Sequence, residues 1–171
     1  FRAAAPTSLT EDGCSAFAAL GLKTVIDLRT PSERFSAPNA ACVDAAATTV
    51  AAPMPVPYNV SPADYLADLH TDASVKALFD TLGDETKYPV LIHCTYGRDR
   101  SGVAVALVLL ALGASREVIL RDYLRTADNG LSAFPASLEA VLDEIERVGG
   151  IDAFLSARGV APETLAVLRA R

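Results

Sequence analysis

The segment Tyr88-Pro-Val-Leu-Ile-His93, followed by the polar run Cys94-Thr-Tyr-Gly-Arg-Asp-Arg-Ser101 and the apolar run Gly102 to Ala114, constrains this chain more than any other feature. Val90, Leu91 and Ile92 are consecutive apolar residues behind a proline. A strand that is apolar on both faces of its pleat must be covered on both sides, as in a parallel sheet sandwiched by helices. The run Gly102 to Ala114 is well short of the roughly 20 residues that cross a bilayer, so it reads as a buried helix over about 101–112 rather than a membrane span. A buried strand, a tight polar turn and a buried helix form the repeating unit of an α/β sheet, which takes ligands outside the carboxyl ends of its strands.

The rest of the chain supplies further units. A helix is expected from Glu11 to Leu20, capped by Ser8 or Thr10 and ended by Gly21, then a strand from Lys23 to Leu28. Pro31 to Pro57 reads as irregular, with a short strand around Cys42 to Val50. Ser61-Pro62 opens a helix to about His70, because proline suits the first helical position. Further helices are expected at Asp72 to Leu82, Arg116 to Arg125, Pro135 to Val148, Ile151 to Ala157 and Pro162 to Ala170. Apolar patterning runs from Leu9 to Leu168 without a repeat or linker, so residues 1–171 are read as one domain. Of the hydrophobic 51%, 31 residues are alanine, but a chain of this length still buries roughly 70% of its extended surface. With 15 basic against 21 acidic side chains and a net charge of −6, no broad basic face exists for nucleic acid or anionic lipid. No basic-then-apolar leader precedes Phe1, so any targeting peptide is removed or never existed. The compartment stays open, cytoplasmic by default with secretion as the alternative.

Cys94 to Arg100 is a C-x5-R loop. Gly97 relaxes its backbone, and a helix starting near Ser101 aims the N–H groups of Thr95, Tyr96, Gly97, Arg98, Asp99 and Arg100 inward as an anion nest at a positive helix end. Arg100 adds a planar fork for two oxygens of one phosphate. At the base of that nest Cys94 meets amides, dipole and guanidinium, all of which favour thiolate over thiol. In-line attack on a phosphate monoester then gives a cysteinyl-phosphate. One carboxyl group can protonate the leaving oxygen and later activate water; Asp99 is preferred and Asp64 is the alternative. Ser101 is placed to hydrogen-bond the thiolate and His93 to support the loop. Arg98 is expected to contact substrate. Asp27, Arg29 and Glu33 read as polar structure at a strand end, with a minor substrate role open for Arg29. Cys14 and Cys42 fit neither a disulfide framework nor a zinc cluster and read as packing residues, or alternatively as a resolving thiol for Cys94. No metal or other cofactor is expected, because two histidines do not furnish a dinuclear centre. Val103-Ala104 after Gly102 excludes a nucleotide P-loop, and no G-x-S-x-G elbow occurs.

His93-Cys-x5-Arg100-Ser resembles the H-C-x5-R-[ST] signature of the cysteine-dependent protein tyrosine phosphatases. Its G-x-D-R-[ST]-G ending is similar to the bacterial PtpB/LipA-like tyrosine and lipid phosphatases. Phe1-Arg-Ala-Ala-Ala resembles that family's F/Y-R-S-A. Leu20 to Arg29 with Glu33 resembles its L-G-I-x-T-V-I-D-L-R-x3-E, and Asp122-Tyr-Leu its D-Y-L. Gly149 to Leu155 and Leu165 to Arg169 resemble its closing motifs. The resemblance implies a three-layer α/β fold with a central, mostly parallel sheet of about four or five strands, and a metal-independent protein tyrosine phosphatase with dual-specificity or phosphoinositide activity as extensions. It also implies Asp99 as the acid and, at Arg98, a position associated with substrates carrying additional phosphates. Arg98 stands for the family's lysine and Tyr96 for its usual alanine. The N-F-R-D-L-G-G stretch that usually comes before F/Y-R-S-A is absent, implying a chain that begins inside the domain. Two other readings of the loop are a phosphate-recognition module without turnover and an arsenate reductase or sulfurtransferase.

Overall fold

The computed structural model describes residues 1–170. Four strands, β1 (Arg2–Ala3), β2 (Thr24–Asp27), β3 (Thr48–Ala51) and β4 (Val90–His93), form one sheet in the order β1-β4-β2-β3. Every pairing is parallel, with Ile26 opposite both Ile92 and Val50, and Asp27 opposite both His93 and Ala51. Because side chains alternate across a pleat, Val25 and Leu91 face one side and Ile26, Val90 and Ile92 the other. The first side is covered by Phe17, Leu22 and Val43 from α1 (Glu11–Ala19), the turn after it and α3 (Ala41–Ala46). The larger core on the second side is built from α4 (Pro62–Asp68), α5 (Asp72–Leu82), α6 (Asp99–Ala111), α7 (Arg116–Leu124), α8 (Pro135–Arg147), α9 (Ile151–Ser156) and α10 (Pro162–Arg169). The result is the expected three-layer α/β architecture, at the lower of the expected strand counts.

The caps explain the local boundaries. Thr10 caps α1 by accepting from the Gly13 amide. Ser61 and Asp64 form a reciprocal capping box that starts α4 with Pro62 in its first turn. The stretch from Pro31 to Pro57 is more regular than expected. A second capping box, Thr30 with Glu33, starts α2 (Pro31–Ser36). The strand expected over Cys42 to Val50 is instead α3 followed by β3. Short alanine-rich turns carry little periodicity, so only a tertiary partner decides between helix and strand there. The strand β1 was not anticipated either, since its two residues acquire identity only by pairing with Ile92 and His93.

Cys14 and Cys42 form a disulfide that ties α1 to α3, which corrects their reading as packing residues or a resolving thiol. Cys94 is buried and is the free cysteine among the described residues. No helix of the described residues is long and apolar enough to cross a membrane.

Candidate active site

The loop from Cys94 to Arg98 joins the carboxyl end of β4 to α6, a 13-residue helix that begins at Asp99, one half-turn earlier than expected. Gly97 has φ +69°, and a Cβ there would lie 2.5 Å from the carbonyl carbon of Ala3. Only glycine lets the loop both turn left-handed and press against β1. The loop is pinned from outside by the Arg2 guanidinium donating to the Gly97 carbonyl at 3.1 Å and by the Ala5 amide donating to the Thr95 carbonyl at 3.2 Å. Cys94 is 1% exposed, and its Sγ lies 3.5 Å from the Ser101 Oγ, in the first turn of α6. A hydroxyl and the amino end of a long helix thus converge on the sulfur.

Arg100 is 3% exposed and is held by Glu33. Nη1 and Nη2 each donate to one Glu33 oxygen at 2.7 Å, a bidentate fork. Thr95 Oγ1 donates to Glu33 Oε1 at 2.6 Å, and the Thr30 amide and hydroxyl donate to Oε2 at 2.9 Å. With Arg100 foremost, these bonds hold the Glu33 carboxyl far below the usual carboxylate range. One edge of the guanidinium is therefore committed to Glu33, while Nε is buried without a protein partner. Glu33 thus orients Arg100, where the sequence suggested only polar structure. The capping-box spacing from Thr30 was visible; the approach of Arg100, 67 residues away, was not.

Asp99 is buried and accepts from the Tyr65 hydroxyl at 2.5 Å and from Arg98 Nε and Nη2 at 2.7 and 3.1 Å. Tyr65 also meets the Tyr123 hydroxyl at 2.7 Å, and the rings pack edge to face. Burial first, then the bonds to Asp99 and Tyr123, push the Tyr65 phenol up, so it stays a protonated donor. Arg98, expected to contact substrate, is folded back onto Asp99, with its guanidinium beside the rings of Tyr96 and Phe134 at 5.8 and 4.9 Å. Tyr96 is exposed at the rim and, with Arg2, Gly97, Asp122, Arg125 and Thr126, lines a cleft of about 810 Å³ beside the loop.

His93 is fully buried. Its Nδ1 lies 3.3 Å from the Cys94 carbonyl, an acceptor, so Nδ1 carries the proton. Burial lowers the imidazole pKa and keeps it neutral, which fits the expected supporting position. Beneath it, Arg29 donates to both Asp27 oxygens, to the Ala37 carbonyl and to Asn39. That buried pairing leaves no guanidinium for substrate, correcting the open role for Arg29. Asp64 is corrected as well. It is taken up by the capping box and by the Tyr58, Asn59 and Ser61 amides. The Ser61 bonds lower its pKa, the wrong direction for a proton donor. The carboxyl group that the sequence reading missed is Asp68, at the end of α4. It is 1% exposed and has no hydrogen-bond partner on either oxygen. Among the described residues, no group of three or more His, Cys, Asp or Glu side chains is arranged to hold a metal ion.

A buried cysteine under a C-x5-R loop, at the carboxyl end of a parallel strand and the amino end of a helix, is the arrangement expected of a cysteine-dependent phosphatase. Over residues 1–171 the chain matches the model of the tyrosine phosphatase family, and it belongs to that family. It is 58% identical over 41 residues to the triple specificity protein phosphatase PtpB of Mycobacterium tuberculosis, covering 24% of this chain and 15% of that one. To a putative tyrosine-protein phosphatase, H16_A0669, of Cupriavidus necator it is 31% identical over 128 residues, 63% of this chain and 45% of the relative. A tyrosine-protein phosphatase of Nostoc commune is 27% identical over 134 residues, 70% and 45% of the two chains. The chain thus spans less than half the length of these curated relatives. The solved core catalytic domain of the PP-IP phosphatase SIW14 from S. cerevisiae, in complex with citrate, shares the fold. Its TM-score is 0.55 at 18% identity, over 90% of this chain and 88% of that one.

Proposed function

We propose that this chain is a phosphomonoester hydrolase acting on phosphotyrosine in proteins, with Cys94 as nucleophile, Arg100 and the loop amides as the phosphate cradle, and Asp99 as the proton carrier. The observation that carries this reading is the placement of Cys94 Sγ beside Ser101 at the amino end of α6, with Arg100 clamped alongside by Glu33. The thiolate attacks phosphorus in line, the P–O bond to the leaving group breaks, and the electron pair leaves with that oxygen, which takes a proton from Asp99. Water, deprotonated by the Asp99 carboxylate, then attacks the cysteinyl-phosphate and releases orthophosphate with return of the thiolate. Ser101 donates to the departing sulfur. For Asp99 to take up its proton, the Arg98 fork must loosen, and a substrate carrying a further phosphate offers Arg98 another anion. That exchange supports phosphoinositides, or multiply phosphorylated ligands generally, as additional substrates, in line with the triple specificity in the name of the mycobacterial relative.

Cys94→Ser abolishes turnover of p-nitrophenyl phosphate measured in EDTA; appreciable residual activity sinks the mechanism. Asp99→Asn slows phenyl phosphate, with its poor leaving group, far more than an activated aryl phosphate, and equal losses on the two refute the proton assignment. Arsenate reduction or sulfur transfer through Cys94 is not favoured, because both other cysteines are joined to each other.

A further inference from the structure

Asp68 is a buried carboxyl group on a helix packed against α6 that the mechanism above leaves unused. It stands three residues after Tyr65, on the same side of α4, and Tyr65 touches Asp99. The helix α4 packs on α6, which carries both Asp99 and Arg100, and on α8, whose buried residues Ser137, Leu138, Val141, Leu142 and Ile145 are uncharged. The charges acting on Asp68 are Arg100 and Asp99 from α6 and Asp64 from its own helix. Arg100 reciprocally responds to Asp68, and its Nε is, like both Asp68 oxygens, buried without a protein partner.

We propose that Asp68 is a positioning residue of the oxyanion cradle: a carboxyl group kept neutral so that Arg100 is free for a bound dianion, and whose ionisation weakens that binding. An ionised Asp68 adds negative charge in a low-dielectric wall next to Arg100 and Asp99, competing with the anion for the same guanidinium. Burial pushes the Asp68 carboxyl up to about 8, so the transition falls in the mildly alkaline range. This role rests on the phosphate-cradle reading of the loop but assigns no step of the chemistry to Asp68.

The test uses tungstate, a tetrahedral dianion of constant charge over the neutral and alkaline range, and the Cys94→Ser protein, so that no cysteine thiolate of the loop contributes. If the anion binds only the protonated form, affinity measured by titration calorimetry falls about tenfold between about pH 7 and about pH 9, and binding near pH 9 takes up about one proton. Adding Asp68→Asn removes both the decline and the proton uptake. If Asp68→Asn fails to fold, Asp99→Asn with Asp68 intact separates the two carboxyl groups: proton uptake, read in buffers of different ionisation enthalpy, persists if Asp68 carries it, and its loss overturns the role of Asp68. Equal affinity at both pH values without proton uptake, or an unchanged decline in Asp68→Asn, overturns the role of Asp68 alone. Absence of tungstate binding at either pH overturns the cradle itself. Turnover of p-nitrophenyl phosphate by the unaltered chain tests the phosphatase reading separately.

Discussion

Glu33 and Asp68 both act on Arg100 but in opposite electrostatic states, and the two carboxyl groups make opposite predictions. Glu33, 24% exposed, is bonded to both terminal nitrogens of a 3% exposed arginine. Glu33→Gln leaves that buried cation underpaired, which costs about 3 kcal/mol by the lower end of the range for broken buried pairs, and it frees Arg100 from its set orientation. Phosphatase activity then drops mainly through a raised KM, checked by steady-state kinetics beside a denaturation curve. Because the folded-state pKa of Glu33 is depressed, its stabilisation is present above the ordinary carboxylate pKa and is lost as pH falls below it. Glu33→Gln therefore loses less stability on acidification than the parent. Asp68 has a raised folded-state pKa, so its contribution runs the other way, declining as pH rises from the ordinary carboxylate value to about 8. Asp68→Asn is more stable than the parent near that pH, with the difference vanishing in acid; melting curves across pH check both signs. Cys94, Arg100 and Asp99 were legible as a candidate site because they sit within one contiguous motif. Glu33, Tyr65 and Asp68 were not, because their partners lie 67 and 34 residues away for Glu33 and Tyr65 and are electrostatic for Asp68.

At the scale of elements, the loop keeps its shape through close packing between β1, the β4–α6 turn and α7. Gly97→Ala places a methyl group against the β1 backbone at a positive φ, a strain of about 1–3 kcal/mol. The expected outcome is a loss of more than tenfold in tungstate affinity with the fold retained, as read by calorimetry and circular dichroism. Gly102 is similar, since a Cβ there would come within 2.9 Å of the Tyr123 ring. Tyr65→Phe removes the hydroxyl that links α4 to Asp99 while keeping the ring. It changes the acidic limb of the pH–rate profile with little effect on tungstate binding, which a purely packing role for Tyr65 does not produce. Elements with a strong local signal were legible in the sequence: β2, β4, α5, α6 and α8 fall where caps, apolar runs and periodicity placed them. Others were not, because a two-residue strand or a six-residue alanine-rich helix contains less local information than its tertiary contacts supply.

For the whole molecule, the Cys14–Cys42 bond joins residues 28 apart in sequence on the face of the sheet remote from α4 and α6. Closing a loop of that length stabilises the folded chain by about 3–4 kcal/mol in the chain-entropy account, and reduction lowers the melting temperature by about 10 °C. Phosphatase activity per folded molecule survives reduction, because Cys94, Ser101 and Arg100 lie outside the bridged segment and Glu33, inside it, is fixed by its own capping box with Thr30 and by Arg100; calorimetry and activity assays with and without a thiol reductant check both statements. The sequence by itself settled the α/β class and pointed to Cys94 and its loop as the candidate site, because strand, turn and helix follow one another there without interruption and their chemistry is local. The pairing of Cys14 with Cys42, the clamp of Glu33 on Arg100, the fold-back of Arg98 onto Asp99 and the burial of Asp68 were decided only in three dimensions. Each depends on the distance between segments that the chain itself leaves free, and that distance is set by how the helices pack on the two faces of the sheet.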